Sequence, residues 1–211
     1  MIKAFIFDLD GVLTDTAEYH YLAWKRLAEE EGFSFNREDN EKLRGVSRRA
    51  SLELILKGST VPEAKMQEMM DRKNGYYRDF IQTISEKDLL PGAIGLLKKL
   101  KEMSFRLALA SASKNAPAVV EQLGIAHYFE VIADGSSVEK TKPAPDLFLY
   151  VAEKLNLPPS RCLVVEDAEA GVAAAKAAGM ATIGIGPQER VGAADYIYPS
   201  VADIILEEVL Q

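Results

Sequence analysis

Two aspartates occupy alternate positions, Asp8 and Asp10, where the apolar run "AFIF" gives out, with Gly11 directly behind them. Carboxylates are unusual in a strand interior, and side chains at i and i+2 of a strand point the same way. The pair can therefore address one reacting centre, one member as nucleophile and the other as acid/base. Gly11 permits a tight turn and a close ligand approach. Two more acids, Glu166 and Asp167, follow "CLVV", and the polar stretch "SASKN" (Ser111 to Asn115) follows "RLALA". If these ends share one edge of a sheet, four carboxylates from distant parts of the chain converge. Unpaired, they would repel one another and resist ionisation. An oxygen-only donor set of that charge suits a hard cation such as Mg²⁺. Any one of these acids also reads as a helix N-cap or loop residue, Asp167 especially.

Cations accompany the acids. Lys142 stands in "TKPAPD" and Lys114 follows Ser113, while Arg44, Arg48 and Lys73 lie in a middle segment. Phosphoryl transfer calls for hydroxyls, backbone N–H groups, a metal and a lysine or arginine around the phosphoryl oxygens. "SASKN" leads into a predicted helix N-terminus, where backbone donors and the dipole favour an anion.

The elements that must position these groups follow from pattern. "KAFIFDLD", "FRLALAS", "FEVIAD", "CLVVED", "ATIGIG" and a weaker "DYIYP" read as buried parallel strands. Between most of them lie amphipathic helices, such as "AIGLLKKLKEM" with Leu96, Leu97 and Leu100 on one stripe. The alternation predicts an α/β protein with a Rossmann-like parallel sheet, and such sheets bind ligands beyond the carboxyl ends of their strands. Residues 15–85 break the alternation with four helical segments. They read as an inserted helical cap domain, which leaves a discontinuous core of residues 1–14 and 86–211.

Bulk properties narrow the function further. The chain has 211 residues, 48% of them hydrophobic, enough for a core and a small second domain. Its net charge of −7 makes nucleic acid and anionic membranes poor default partners. Cys162 is the only cysteine, which points to a reducing compartment, and its apolar neighbours mark it as a buried strand residue. No stretch approaches membrane-spanning length. The expectation is a cytoplasmic protein acting on a small molecule. His127 has no motif around it and reads as a surface residue.

Taken in order, "FDLDGVLTDT", "ASAS", the lysine of "TKPAPD" and "VVEDA" resemble the four motifs of the haloacid dehalogenase-like superfamily, across the whole chain. The segments "DTAEYHYLAW", "RGVSR", "DRKN" and "ASASKN" are similar to those of its hexose-phosphate mutases. The resemblance implies interconversion of β-D-glucose 1-phosphate and β-D-glucose 6-phosphate through an aspartyl phosphate, with Mg²⁺ as cofactor. Glucose 1,6-bisphosphate would serve as intermediate and activator, and the enzyme would act as a monomer. It implies Asp8 as nucleophile and Asp10 as general acid/base. Mg²⁺ would be held by Asp8, the Asp10 carbonyl, Glu166 and Asp167. Ser111 and Lys142 would hold the transferring group, and Thr16 and His20 would sense or steady Asp10. Trp24, Gly45, Val46, Ser47, Arg48, Ser51, Lys73 and Asn74, with Ala112, Ser113, Lys114 and Asn115, would meet the sugar phosphate.

Alternatives stay open on the residues alone. Arg49 competes with Arg48 as the cap phosphate clamp, and Lys140 with Lys142 as the core lysine. Thr16, His20 and Trp24 at spacing four also read as a helix stripe packed on the core. A sugar-phosphate phosphatase would use the same core motifs, and a non-catalytic Mg²⁺ or phosphate-binding regulator could keep the fold.

Overall fold

The computed structural model describes residues 1–210. Six parallel strands form one sheet: β1 (Ala4–Phe7), β2 (Arg106–Ala110), β3 (Val131–Ala133), β4 (Cys162–Glu166), β5 (Ala181–Ile185) and β6 (Tyr196–Tyr198). Their order across the sheet is β3-β2-β1-β4-β5-β6, so β1 lies between β2 and β4, with Phe7 opposite Leu109 and Val165. All six expected strands are present, and all are shorter at their ends than the apolar runs suggested.

Both faces of the sheet are covered, which explains the nearly continuous apolar runs. One face sets Phe5, Phe7, Leu107, Leu109 and Val165 against Leu96, Leu97 and Leu100 of α5 (Ala93–Glu102) and Val119 and Val120 of α6 (Ala116–Gln122). The other sets Ile6, Ala108 and Val164 against α7 (Asp146–Lys154) and α8 (Glu169–Ala177). Cys162 is buried on this second face and His127 is exposed.

Between β1 and β2 the chain makes four helices: α1 (Ala17–Glu31), α2 (Arg37–Glu41), α3 (Arg48–Leu56) and α4 (Glu63–Phe80). They enclose an apolar cluster of their own, in which Trp24 and Leu27 of α1 meet Leu52 and Ile55 of α3 and Met66, Met69 and Met70 of α4. The excursion is not insulated from the sheet. Ala23 and Tyr77 belong to the same buried cluster as Phe7.

One expectation is corrected at the first strand. β1 ends at Phe7, so neither Asp8 nor Asp10 belongs to it. Asp8 N–H still donates to Val165 O at 2.9 Å, but the carbonyl of Leu9 then accepts from Leu13 and Thr14, and Gly11 takes φ +77°. The chain thus leaves the sheet in a tight turn, and the alternation argument holds only as far as Asp8.

Candidate active site

The carboxyl ends of β1, β2 and β4 bring the expected chemistry to one place. Ligand oxygens of Asp8, Glu166 and Asp167 lie within 4.8 Å of one another, all buried. Space for them is made by backbone. A Cβ on Gly11 would collide with the Asp167 carboxylate, and Gly11 already has a left-handed φ. The expected fourth carboxylate stands apart from this group. Asp10 accepts instead from the hydroxyl of Thr16, which in turn accepts from Tyr77 at 3.1 Å.

Cations ring the acids. Lys142 Nζ donates to Asp8 Oδ1 at 2.5 Å and to Glu166 Oε2 at 2.8 Å, with its side chain fully buried. Lys140, the alternative lysine, is exposed. Asp167 Oδ2 receives Arg44 at 3.2 Å and Arg190 at 3.7 Å. This positive charge is not enough. Burial and the neighbouring Asp8 push Glu166 up to about 8 against the pull of Lys142, and push Asp167 up to about 7 against Arg44 and Arg190. A cluster of oxygen donors that still resists ionisation is what a divalent cation relieves, so the residues present fit Mg²⁺. Burial also lifts Asp10 to about 6, with Asp8 adding to the effect and Thr16 opposing it. Burial opposes charge on Lys142 too, but Asp8 and Glu166 outweigh it and hold the lysine above its usual range.

A cavity of about 380 Å³ opens onto these groups. Asp8, Asp10 and Asp167 line it from the sheet, with Ser111, Ala112, Ser113 and Lys114 of the loop after β2. The helical excursion contributes His20, Trp24, Gly45, Val46, Ser47, Arg48, Ser51 and Lys73. Five expected residues sit behind the lining: Thr16, Lys142 and Glu166, all buried, and Asn74 and Asn115. Asn115 Nδ2 and Arg48 both donate to Asn74 Oδ1, at 2.9 and 2.8 Å, and so join the sheet loop to α3 and α4.

The paired arginines separate. Both line the cavity, but Arg49 is held by Glu63, at 2.5 and 2.8 Å, and Glu53, at 3.0 Å. Arg48 has Asn74 as its partner, and burial lowers its pKa. The helix-stripe reading of Thr16, His20 and Trp24 is also partly right. Trp24 packs in the apolar cluster of the helical excursion and lines the cavity as well. His20 does not reach Asp10 by any hydrogen bond among the described residues. Its Nδ1 meets Lys73 Nζ at 2.8 Å and its ring stacks on Tyr77 at 4.0 Å.

Some groups at the site had weak signals or none. Arg44 was one cation among several. Tyr77, which holds Thr16, follows Met66, Met70 and Lys73 along the buried stripe of α4, so its inward direction was readable from spacing. Arg190 donates to the Asp167 carbonyl at 2.6 Å from beyond β5, with no local motif to mark it.

Comparison with known proteins bears on this arrangement. Residues 2–179 match the family model of haloacid dehalogenase-like hydrolases. The chain is 45% identical to beta-phosphoglucomutase of Bacillus subtilis (strain 168), over 98% of this chain and 93% of that protein. It is 31% identical to a phosphorylated carbohydrates phosphatase of Thermotoga maritima, over 86% and 84%. Among solved structures, beta-phosphoglucomutase from Clostridium difficile superposes with a TM-score of 0.95 at 41% identity, covering 100% of this chain and 96% of that one.

Proposed function

The chain belongs to the haloacid dehalogenase-like hydrolase family, and from that premise we propose that it is a β-phosphoglucomutase interconverting β-D-glucose 1-phosphate and β-D-glucose 6-phosphate. Similarity to two proteins of that name, along nearly their whole lengths, supports this. The single observation that carries it is the double provision of one cavity. Asp8 and Asp10 enter from the sheet, while Arg48 and Lys73 enter from the helical excursion. A hexose bearing two phosphates needs a cation set away from the nucleophile, and guanidinium suits a phosphate.

In this reading Asp8 begins phosphorylated. A sugar hydroxyl attacks the phosphorus, the bond to the Asp8 carboxylate oxygen breaks, and Asp10 takes the hydroxyl proton. The resulting glucose 1,6-bisphosphate turns end for end. Asp8 then attacks the other phosphorus, the sugar oxygen leaves, and Asp10 returns the proton to it. A raised Asp10 pKa suits a group that must do both. Ser111 and Lys142 cradle the transferring oxygens, and Thr16 keeps Asp10 aimed. Asp8, Glu166, Asp167 and the Asp10 carbonyl would hold Mg²⁺, which when bound supplies positive charge against carboxylates and phosphoryl oxygens. Arg48 takes the far phosphate. Lys73, Trp24, Ser51 and the loops at Gly45–Ser47 and Ala112–Asn115 take the rest of the substrate. Residues 15–85 act as a cap that excludes water from the acyl phosphate. A cytoplasmic setting suits the single buried cysteine.

The deciding experiment offers β- and α-glucose 1-phosphate with catalytic glucose 1,6-bisphosphate and follows glucose 6-phosphate and inorganic phosphate together. The β anomer should yield glucose 6-phosphate with little free phosphate. Phosphate as the main product would make the protein a phosphatase, and no turnover of either anomer would make it a binder.

A further inference from the structure

Arg44 lies in the loop between α2 and α3, on the excursion, yet its guanidinium reaches Asp167 Oδ2 at 3.2 Å. The loop is seated closely on the turn after β4. Gly45, with φ +72°, has no Cβ, and one built there would stand 2.9 Å from the Cβ of Ala168. Arg190 approaches the same oxygen from the sheet side at 3.7 Å. No hydrogen bond reaches the other oxygen, Asp167 Oδ1, among the described residues. We propose that Arg44 is a positioning residue that couples the cap to the cation site, gripping one oxygen of Asp167 from the cap side so that cap seating and Mg²⁺ binding strengthen each other. This rests on reading Asp8, Glu166 and Asp167 as the Mg²⁺ site.

The sign of the coupling follows from a second contact. An arginine beside a metal ligand both orients the ligand and repels the metal. Here the guanidinium is also held by Glu41, at 2.8 and 3.4 Å, so the Arg44–Glu41 pair carries almost no net charge and its repulsion of a cation is small. Orientation remains, and partners that orient metal ligands are worth about 10–100-fold in affinity. Coupling is reciprocal, so a cation that gains from a seated cap must also help to seat it.

The test titrates MgCl₂ calorimetrically into the full chain as wild type, Arg44→Gln, Arg44→Lys and Arg49→Gln. It also follows backbone hydrogen exchange of residues 42–47 with and without Mg²⁺. Arg44→Gln should weaken Mg²⁺ binding about tenfold, Arg44→Lys should recover part of the loss, and Arg49→Gln should lose nothing. Mg²⁺ should slow exchange at 42–47 in the wild type and not in Arg44→Gln, an effect that a merely structural arginine would not produce. Equal or tighter Mg²⁺ binding by Arg44→Gln overturns the coupling. If that variant does not fold, wild-type exchange at 42–47 that is indifferent to Mg²⁺ overturns it instead. A wild type that takes up no Mg²⁺ overturns the cation-site reading and this inference with it.

Discussion

Nζ of Lys73 lies 2.8 Å from Nδ1 of His20, so one of these two basic groups offers the other a lone pair. Both have pKa values well below their usual range. Burial is the main cause for each, and each is opposed by other cations: Arg48 for Lys73, and Lys73 with Arg48 for His20. The amine is roofed by Trp24 at 4.8 Å and Tyr77 at 4.9 Å. A cavity holding reluctant cations is poised for an anion, whose arrival restores their charge. Lys73→Met should therefore weaken sugar-phosphate binding while raising unfolding stability near neutral pH by about 1–3 kcal/mol, the usual scale for relieving a buried polar group. The unfolded chain keeps the Lys73 proton up to its ordinary pKa of 10.5, and the folded chain sheds it earlier. Folding thus gains stability as pH rises through that interval. The advantage of Lys73→Met in urea denaturation should shrink over the same range.

Asp8→Asn keeps shape and loses the attacking charge. Turnover should fall by at least about a thousandfold, roughly 4 kcal/mol of transition-state stabilisation. Labelling by acetyl phosphate, read by mass spectrometry, should vanish with it. Near-normal turnover in this variant would remove the aspartyl phosphate from the pathway.

Asp10 carries a pKa of about 6 against an ordinary 3.8. A raised carboxyl means that the folded state binds the extra proton, so its contribution to stability is present at low pH and lost as pH rises through about 6. Asp10→Asn should flatten that part of the stability profile. It should also cut turnover by about 10²–10⁴-fold while Mg²⁺ binding changes little. A large loss of substrate binding at unchanged rate would make Asp10 a ligand instead of an acid/base.

Lys142 holds two carboxylates at once, at 2.5 and 2.8 Å. Its removal leaves a buried negative pair, and breaking a buried ion pair costs about 3–5 kcal/mol. Lys142→Met should show that loss in urea denaturation, with added Mg²⁺ returning part of it. A variant as stable as the wild type without Mg²⁺ would show that the lysine is not the carboxylates' main support.

Arg48→Ala and Arg49→Ala should part company. Both line the cavity, but Arg48 has the neutral Asn74 as its partner, while Arg49 is held by the carboxylates of Glu53 and Glu63. Isomerisation should collapse in Arg48→Ala, with hydrolysis per turnover rising, and stay near wild type in Arg49→Ala. The reverse pattern would move the clamp to Arg49.

What could be read in advance divides along a physical line. The six strands and the acids after them were legible because a sheet covered on both faces demands apolar runs, and a carboxylate stands out against such a run. Lys142 was legible from its local motif. The choice between Arg48 and Arg49 was not, because it turns on where α3 points its first two side chains and on Glu63 from another helix. Nor was Asp10's departure from the carboxylate cluster. It is set by the turn at Leu9–Thr14 and by Thr16, whose own orientation depends on Tyr77, far along the chain. The burial of Lys73 was legible too, since it shares the apolar stripe of α4 with Met66, Met70 and Tyr77.

The central place of β1 has a consequence for how the protein is made. Its ladder partners begin at Arg106 and at Cys162, with the whole helical excursion translated before either. At about 5–20 residues per second, a ribosome leaves "AFIF" without its second neighbour for roughly ten seconds or more. During that wait the segment is an unpaired apolar edge, open to chaperones and to wrong partners. The nucleophile candidate, Asp8, is thus among the earliest functional residues to leave the ribosome and among the last to acquire its surroundings.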